Sequence, residues 1–393
     1  MTSGRLPGES PVRVAYVTDK SGLGGGETSL VNLLESLPTL GIEPVLMCPE
    51  GELADAAKEA KVYVSVVRFP DVHLRVGLVP TFSLRTVRDL SRRLVHESIR
   101  VMHAESLIGA YYGALAARLA GIPSVATYHG YWPLRSSIVR MFLYVFCRKV
   151  YAVSEATDHE LRENLHFASR RTSTIPLGLS ERFTATLPDK ESARRALGFS
   201  EDRPIVMQVA RFQAIKRQDL MLEAFELLLS GTNRPKPLLL FVGGVMEPAD
   251  ADSLRFRRAV EEKARSLELR DSVRFLGHRS DVPLLIRAAD VIVTPSAFET
   301  FSMSTIEAMA VGTPVVATRV GGPAEIITHG STGLLVPPND ANALANAIAL
   351  LLADPERAQV MAGAAAASAR RVYAPGVRAA ALAKEYGKIL ARG

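Results

Sequence analysis

Between Ser296 and Pro314 the chain reads Ser-Ala-Phe-Glu-Thr-Phe-Ser-Met-Ser-Thr-Ile-Glu-Ala-Met-Ala-Val-Gly-Thr-Pro, with seven residues between the carboxylates Glu299 and Glu307. A carboxylate accepts hydrogen bonds from two neighbouring hydroxyls well, so such a pair suits a sugar or another polyol. An apolar run from Val291 to Pro295 precedes the segment and a second, Pro314 to Thr318, follows it. That pattern is a strand, a loop, a helix and a strand in succession, and ligands collect at the carboxyl ends of such strands. Ser302 and Ser304 are placed to satisfy the first free amides of the helix, whose dipole and exposed N–H groups also attract a phosphate. The two carboxylates could instead serve a glycosidase, but that requires them to flank one glycosidic bond at about 5 to 10 Å. One lies on the loop and the other a turn or more inside the helix, which does not suit that task.

Other candidates lie at other strand ends. Arg211 leaves the strand pattern Pro204 to Ala210 and Lys216 opens the next helix, so both cations can converge on a departing diphosphate; a surface ion pair is the plain alternative. Gly24, Gly25 and Gly26, within Gly22-Leu23-Gly24-Gly25-Gly26-Glu27, permit close backbone approach to an anion, with the helix from Thr28 aiming its amides there. A tight structural turn alone is the alternative. The run departs from the dinucleotide fingerprint, because Glu27 occupies the place of its last glycine or alanine. His129 follows the strand pattern Ser124 to Tyr128 beside Gly130, where an imidazole stands at a site's rim or serves the core. Gly277, His278 and Arg279 end the strand pattern of Phe275 and Leu276.

Taken in order, the Ser296 to Pro314 segment, the glycine loop, Thr127-Tyr128-His129-Gly130 and Val209-Ala210-Arg211 with Lys216 resemble retaining glycosyltransferase family four over nearly the whole chain. The resemblance implies the GT-B fold, two Rossmann-like α/β domains with parallel sheets facing a central cleft, and transfer from a nucleotide diphosphate sugar, with uridine the expected nucleotide, to a hydroxyl acceptor. It makes Arg211 and Lys216 the clamp on the leaving group. Glu299 becomes the holder of the transferred sugar, Glu307 that of the ribose, and His129 a positioning group near the donor sugar. Phe301, Ser302 and Met303 would line the donor, and Gly277, His278 and Arg279 the nucleobase wall. No metal and no cofactor beyond the donor are implied. Many members carry glycine where this chain has Ser302. A non-catalytic sugar-nucleotide or glycan-binding protein on the same scaffold is the alternative, and a two-Rossmann oxidoreductase is weakened by Glu27.

The elements that must position these residues alternate strand and helix along 393 residues, a length suited to two domains. The boundaries expected are 1–180 on the acceptor side, 181–373 for nucleotide-sugar binding and 374–393 for a terminal helix that crosses back, with Leu177 to Pro188 as the linker. A 48% hydrophobic and 22% charged composition is ordinary for a globular chain, and the net charge of +6 is too mild to indicate nucleic acid. Cys48 and Cys147 are too few for a disulfide framework or a zinc site and read as core thiols. Met1 to Pro11 has no apolar signal core, so the expected place is the cytoplasm, with peripheral contact at the inner membrane face as an option. The basic groups Arg85, Arg88, Arg92 and Arg93, and Arg135, Arg140, Arg148 and Lys149, read as solvated faces. Ile138 to Lys149 is apolar almost all round a helix, which predicts burial against the first sheet.

Overall fold

The structure is a computed structural model that describes residues 11–70, 83–130, 132, 134, 136–164, 171–230, 236–245, 250–266, 269 and 271–391. Arg135 and nearly all of the opening segment fall outside these residues. The chain divides into two compact units, one of Met1–Gly178 with Pro375–Gly393 and one of Leu179–Ala374.

The first unit holds β1 (Val12–Val17), β2 (Ile42–Cys48), β3 (Tyr63–Val66), β4 (Val101–Ala104), β5 (Ser124–Tyr128), β6 (Lys149–Ala152) and β7 (Thr172–Thr174). Its sheet is parallel, in the order β3-β2-β1-β4-β5-β6-β7. Both faces of the central strands are buried, which explains their unbroken apolar runs: Val14, Ala15, Tyr16 and Val17 of β1 have no exposed surface. The strand order reverses direction between β1 and β4, and at such a fork the loops leaving the two strands part to open a crevice. The helix after the glycine loop is Gly25–Ser36, three residues earlier than the pattern from Thr28 suggested, so Gly25 and Gly26 belong to its first turn.

The terminal helix Val377–Leu390 packs Ala379, Leu382, Tyr386 and Ile389 against Val14, Tyr16, Val101, Val125 and Tyr151 of this sheet. Burial of each large apolar side chain there contributes roughly 1.5–3 kcal/mol. Cys48 and Cys147 are buried and unpaired, and burial pushes each thiol up to about 12.

The second unit holds β8 (Ile205–Val209), β9 (Leu238–Val242), β10 (Val273–Gly277), β11 (Val291–Thr294), β12 (Val315–Thr318) and β13 (Leu334–Val336), parallel in the order β10-β9-β8-β11-β12-β13. Its fork lies between β8 and β11. One of its cores joins Val206, Phe241, Val291 and Val316 to Phe225 and Ile348 of the helices Gln218–Ser230 and Ala341–Ala353. Most of the stretch read as a linker is built into this unit instead. Leu179 N donates to Tyr373 O at 2.9 Å, and Phe183, on the helical turn Glu181–Thr184, is buried.

Candidate active site

At the fork of the second unit the loops after β8 and β11 are tied by Ala297 N, which donates to Ile215 O at 2.8 Å. Lys216 closes a short 3-10 turn, Ala214–Lys216, and the helix begins only at Gln218, so the ammonium lies before the helix rather than opening it. Its Nζ is 2.6 Å from Glu299 Oε1, which also accepts from Ser296 Oγ at 2.9 Å. The sequence placed a cation and a carboxylate here as separate groups; the fold makes them a partly buried pair. Arg211 stands just past β8, half-buried, with its carbonyl accepting from Gln218 Nε2 at 2.8 Å.

Glycines that the sequence reading passed over set the course of these loops. A Cβ on Gly321 would lie 1.9 Å from Glu299 O, and one on Gly322 2.0 Å from Phe301 O, so only glycine permits this approach. Gly322 N then donates to Glu299 O at 3.0 Å, and Thr318 Oγ1 to Ser296 O at 2.6 Å. After β9, Gly243 has φ +132 and leaves no room for a Cβ beside Ala210 O, 2.1 Å away. A double glycine separated from a strand's end by at most two residues, Gly243-Gly244 and Gly321-Gly322, was the available signal.

Ser302 has φ +84 and ψ 83, a conformation that costs a non-glycine residue roughly 1–3 kcal/mol. This accounts for glycine in other sequences of the resembling family. Its hydroxyl meets Thr305 Oγ1 at 2.9 Å, and Thr305 Oγ1 in turn meets Thr294 Oγ1 at 3.3 Å. The expected capping by Ser302 and Ser304 is therefore not formed: the helix Met303–Val311 has no side-chain cap on its first amides. Phe301 is buried edge-on against Tyr373, with ring centroids 5.6 Å apart, and offers backbone rather than a ring to a ligand. Met303 is the first helical residue and is partly buried. Glu307, in the second turn, is also partly buried; burial pushes its carboxyl up to about 7, against a smaller opposing pull from Arg182.

At the end of β10 the register slips between Phe275 and Gly277, and Gly277 takes φ +65. Phe275 turns into the core and stacks on Phe241 at 5.2 Å. Arg279 is engaged by Asp281, at 2.8 Å from Nε to Oδ1 and 2.5 Å from Nη2 to Oδ2, while His278 is exposed.

In the first unit Gly24 N donates to Glu27 Oε2 at 3.1 Å and Leu23 N to Glu52 Oε2 at 3.0 Å, which fixes the glycine loop. Neither Gly24, Gly25 nor Gly26 has positive φ, and a Cβ on Gly26 would meet nothing within 4 Å. The backbone does not require glycine at position 26; its absent side chain leaves open surface over the helix N-terminus. His129 Nε2 lies 2.7 Å from Glu105 Oε2, and Glu105, just past β4, was not singled out in the sequence. The helix Ser137–Phe146 is buried against the first sheet, as expected, along one side only. Val139 and Leu143 are buried, whereas Ile138, Met141, Tyr144 and Val145 remain 49%, 63%, 42% and 56% exposed.

Residues 189–368 match the family described as glycosyl transferases group 1, and residues 23–182 match Glycosyltransferase Family 4. Over 213 residues the chain is 37% identical to a D-inositol 3-phosphate glycosyltransferase of Corynebacterium urealyticum, covering 53% of this chain and 49% of that protein. The chain thus spans about half the length of this relative and of others like it. Over 351 residues it is 24% identical to the UDP-Gal:alpha-D-GlcNAc-diphosphoundecaprenol alpha-1,3-galactosyltransferase of Escherichia coli, covering 86% of this chain and 87% of that one. Anabaena HepE, solved in complex with UDP and glucose, has a TM-score of 0.80 at 22% identity and is covered to 99%, with 96% of this chain matched. That last likeness shows the fold.

Proposed function

We propose, from the premise that this chain belongs to the glycosyltransferases of family four and group 1 and has the GT-B fold, that it transfers a sugar from a nucleotide diphosphate sugar to a hydroxyl acceptor with retained anomeric configuration. The observation that carries this reading is the Lys216–Glu299 pair at the β8/β11 fork, 2.6 Å between Nζ and Oε1. There a phosphate ligand and a hydroxyl ligand stand side by side, as the join between a sugar and its diphosphate requires. Uridine diphosphate is the donor nucleotide we assign, because the Escherichia coli relative is named for UDP-galactose and HepE was solved with UDP. A binding protein without turnover is the competing reading.

In the reaction the bond from the anomeric carbon to the diphosphate oxygen breaks and a bond to the acceptor oxygen forms on the same face. The acceptor's proton passes to the leaving phosphate oxygen, so no protein nucleophile is needed. Arg211, Lys216 and the uncapped amides of the Met303–Val311 helix stabilise the charge left on the diphosphate. Glu299 orients the hydroxyls of the departing sugar and Glu307 holds the ribose.

The test is a panel of UDP-sugars with pools of hydroxyl acceptors, with product detected by mass and its anomeric linkage read by nuclear magnetic resonance. A product with the donor's configuration is expected, and because fixed protein cations carry the diphosphate charge, a chelator should change its rate by less than about twofold. An inverted linkage defeats the retaining assignment, and loss of rate restored only by magnesium or manganese defeats the metal-independent one. Donor binding without turnover across the panel favours the binding protein.

Among the described residues no helix is long and apolar enough to cross a membrane. We assign peripheral contact with an anionic bilayer to the exposed face of Ile138, Met141, Tyr144 and Val145, since the sequence from Gly130 to Ser154 contains basic residues and no acidic one. Sedimentation with phosphatidylglycerol vesicles, but not with phosphatidylcholine vesicles, is expected. A Met141→Asp/Val145→Asp variant that still sediments with the anionic vesicles would remove this assignment.

A further inference from the structure

The terminal helix Val377–Leu390 sends Arg378 and Tyr386 into the buried face of the first unit's sheet. There they meet Tyr16 of β1, His103 of β4, Thr127 of β5 and Glu105, none more than 8% exposed. The contacts run without a break. Tyr16 and Tyr386 hydroxyl oxygens are 2.7 Å apart, Tyr386 oxygen and His103 Nδ1 2.5 Å, and His103 Nε2 and Thr127 Oγ1 2.7 Å. Thr127 Oγ1 then lies 3.2 Å from Glu105 Oε1, and Glu105 Oε2 lies 2.7 Å from His129 Nε2. Arg378 Nη2 approaches Glu105 Oε1 at 3.3 Å and Thr127 Oγ1 at 3.5 Å.

One end of this chain fixes the protons of all the rest. Burial alone would raise the Glu105 carboxyl, but Arg378 and the hydrogen bond from His129 outweigh it and hold the group ionised, well below the ordinary carboxylate range. An ionised carboxylate only accepts, so Thr127 spends its single proton on Glu105 and must accept from His103 Nε2–H. Burial lowers His103 to about 4, so its ring is neutral near pH 7 and its bare Nδ1 accepts from Tyr386. The Tyr386 oxygen in turn accepts from Tyr16. At the opposite end His129 donates Nε2–H to Glu105, and its Nδ1 makes no hydrogen bond among the described residues.

We propose that Glu105 and Arg378 are positioning residues that hold His129 as the Nε2–H tautomer and leave Nδ1 as an acceptor for a hydroxyl of the bound sugar. The terminal helix therefore supports the site as well as the core. This inference rests on the reading of His129 as a ligand of the transferred sugar. A helix-docking role alone would weaken the fold without acting through the imidazole. Glu105→Gln should lower kcat about ten- to a hundredfold, as a displaced ligand does, with donor KM changed less than about threefold. Because Glu105 acts through His129, Glu105→Gln/His129→Asn should be no slower than His129→Asn alone. Should Glu105→Gln strand the Arg378 charge and unfold, Glu105→Gln/Arg378→Met removes both charges and serves in its place.

Long-range nitrogen–proton correlation spectra of the histidine-labelled parent test the same order without any turnover. His103 and His129 should both show the Nε2–H form, each identified by the signal lost in its Asn variant. The Nδ1–H form at His129, or losses from Glu105→Gln and His129→Asn that multiply, would overturn the proposal. If no sugar is transferred by the parent, the functional reading fails, and the tautomers still decide the hydrogen-bond order.

Discussion

Lys216→Met is expected to lower kcat by about 10²–10³ while circular dichroism stays that of the parent, because one fixed donor on a developing oxyanion is worth that much. The ammonium is held by Glu299 Oε1 at 2.6 Å, with the Lys216 carbonyl accepting from Gln208 Nε2 at 2.7 Å. On the proposed reading, Lys216 would exchange that carboxylate for a phosphate whose charge grows as the sugar departs. Its stabilisation should then be concentrated in the transition state and be read in kcat more than in donor KM. The substitution also leaves Glu299, 7% exposed, with Ser296 as its remaining hydrogen-bond donor at Oε1, beside an incoming anion. Glu299→Ala alone should lower turnover by loosening the sugar, but in the Lys216→Met background it should also relieve that repulsion. The double variant should therefore be faster than the product of the two single losses predicts. A Lys216→Met enzyme within about twofold of the parent in kcat would remove Lys216 from the leaving-group clamp, since that is far below the effect of a lost oxyanion donor.

How far the sequence leads to this arrangement depends on the range over which its residues act. The central strands were legible because a parallel strand buried on both faces is apolar along its run, as Val291 to Val293 and Val315 to Ala317 are. β3, a short edge strand whose Tyr63 is 50% exposed, was passed over although Val62 to Val67 is interrupted only by Ser65. Glu299 and Lys216 were legible as residue types at strand ends, but their ion pair spans 83 positions and no local pattern encodes it. Glu105 and Arg378, 273 positions apart, were invisible in the same way, since Arg378 becomes a partner only when the last helix returns to the first sheet. Ser302 was noticed as a departure from a glycine, and its positive φ supplies the physical reason. The double glycines after β9 and β12 were legible in principle; what they approach was not.

Glu307→Gln should make the protein more stable above pH 7 and worse at holding UDP. Burial has raised this carboxyl to about 7, above the ordinary carboxylate range, so the folded state keeps its proton where the unfolded chain has released it. Below about pH 4.5 both states are protonated and the group contributes nothing. As pH rises toward 7 the unfolded chain loses its proton first and stability falls; above 7 the folded protein carries the full penalty of a poorly solvated charge. With allowance for partial exposure, that penalty is about 1–3 kcal/mol. Glutamine keeps the shape without the charge, so its thermal midpoint at pH 8 should exceed the parent's by several degrees and converge with it near pH 4. On the proposed reading the same exchange replaces a carboxylate placed to accept from both ribose hydroxyls with an amide that has one accepting oxygen. UDP binding measured by calorimetry at pH 8 should therefore weaken about ten- to a hundredfold. In the parent, binding should strengthen as pH rises through 7, because the ionised form is the better acceptor, and in Glu307→Gln that dependence should vanish. A variant that gains stability but binds UDP as tightly as the parent would leave Glu307 a strained buried acid with no part in holding the nucleotide.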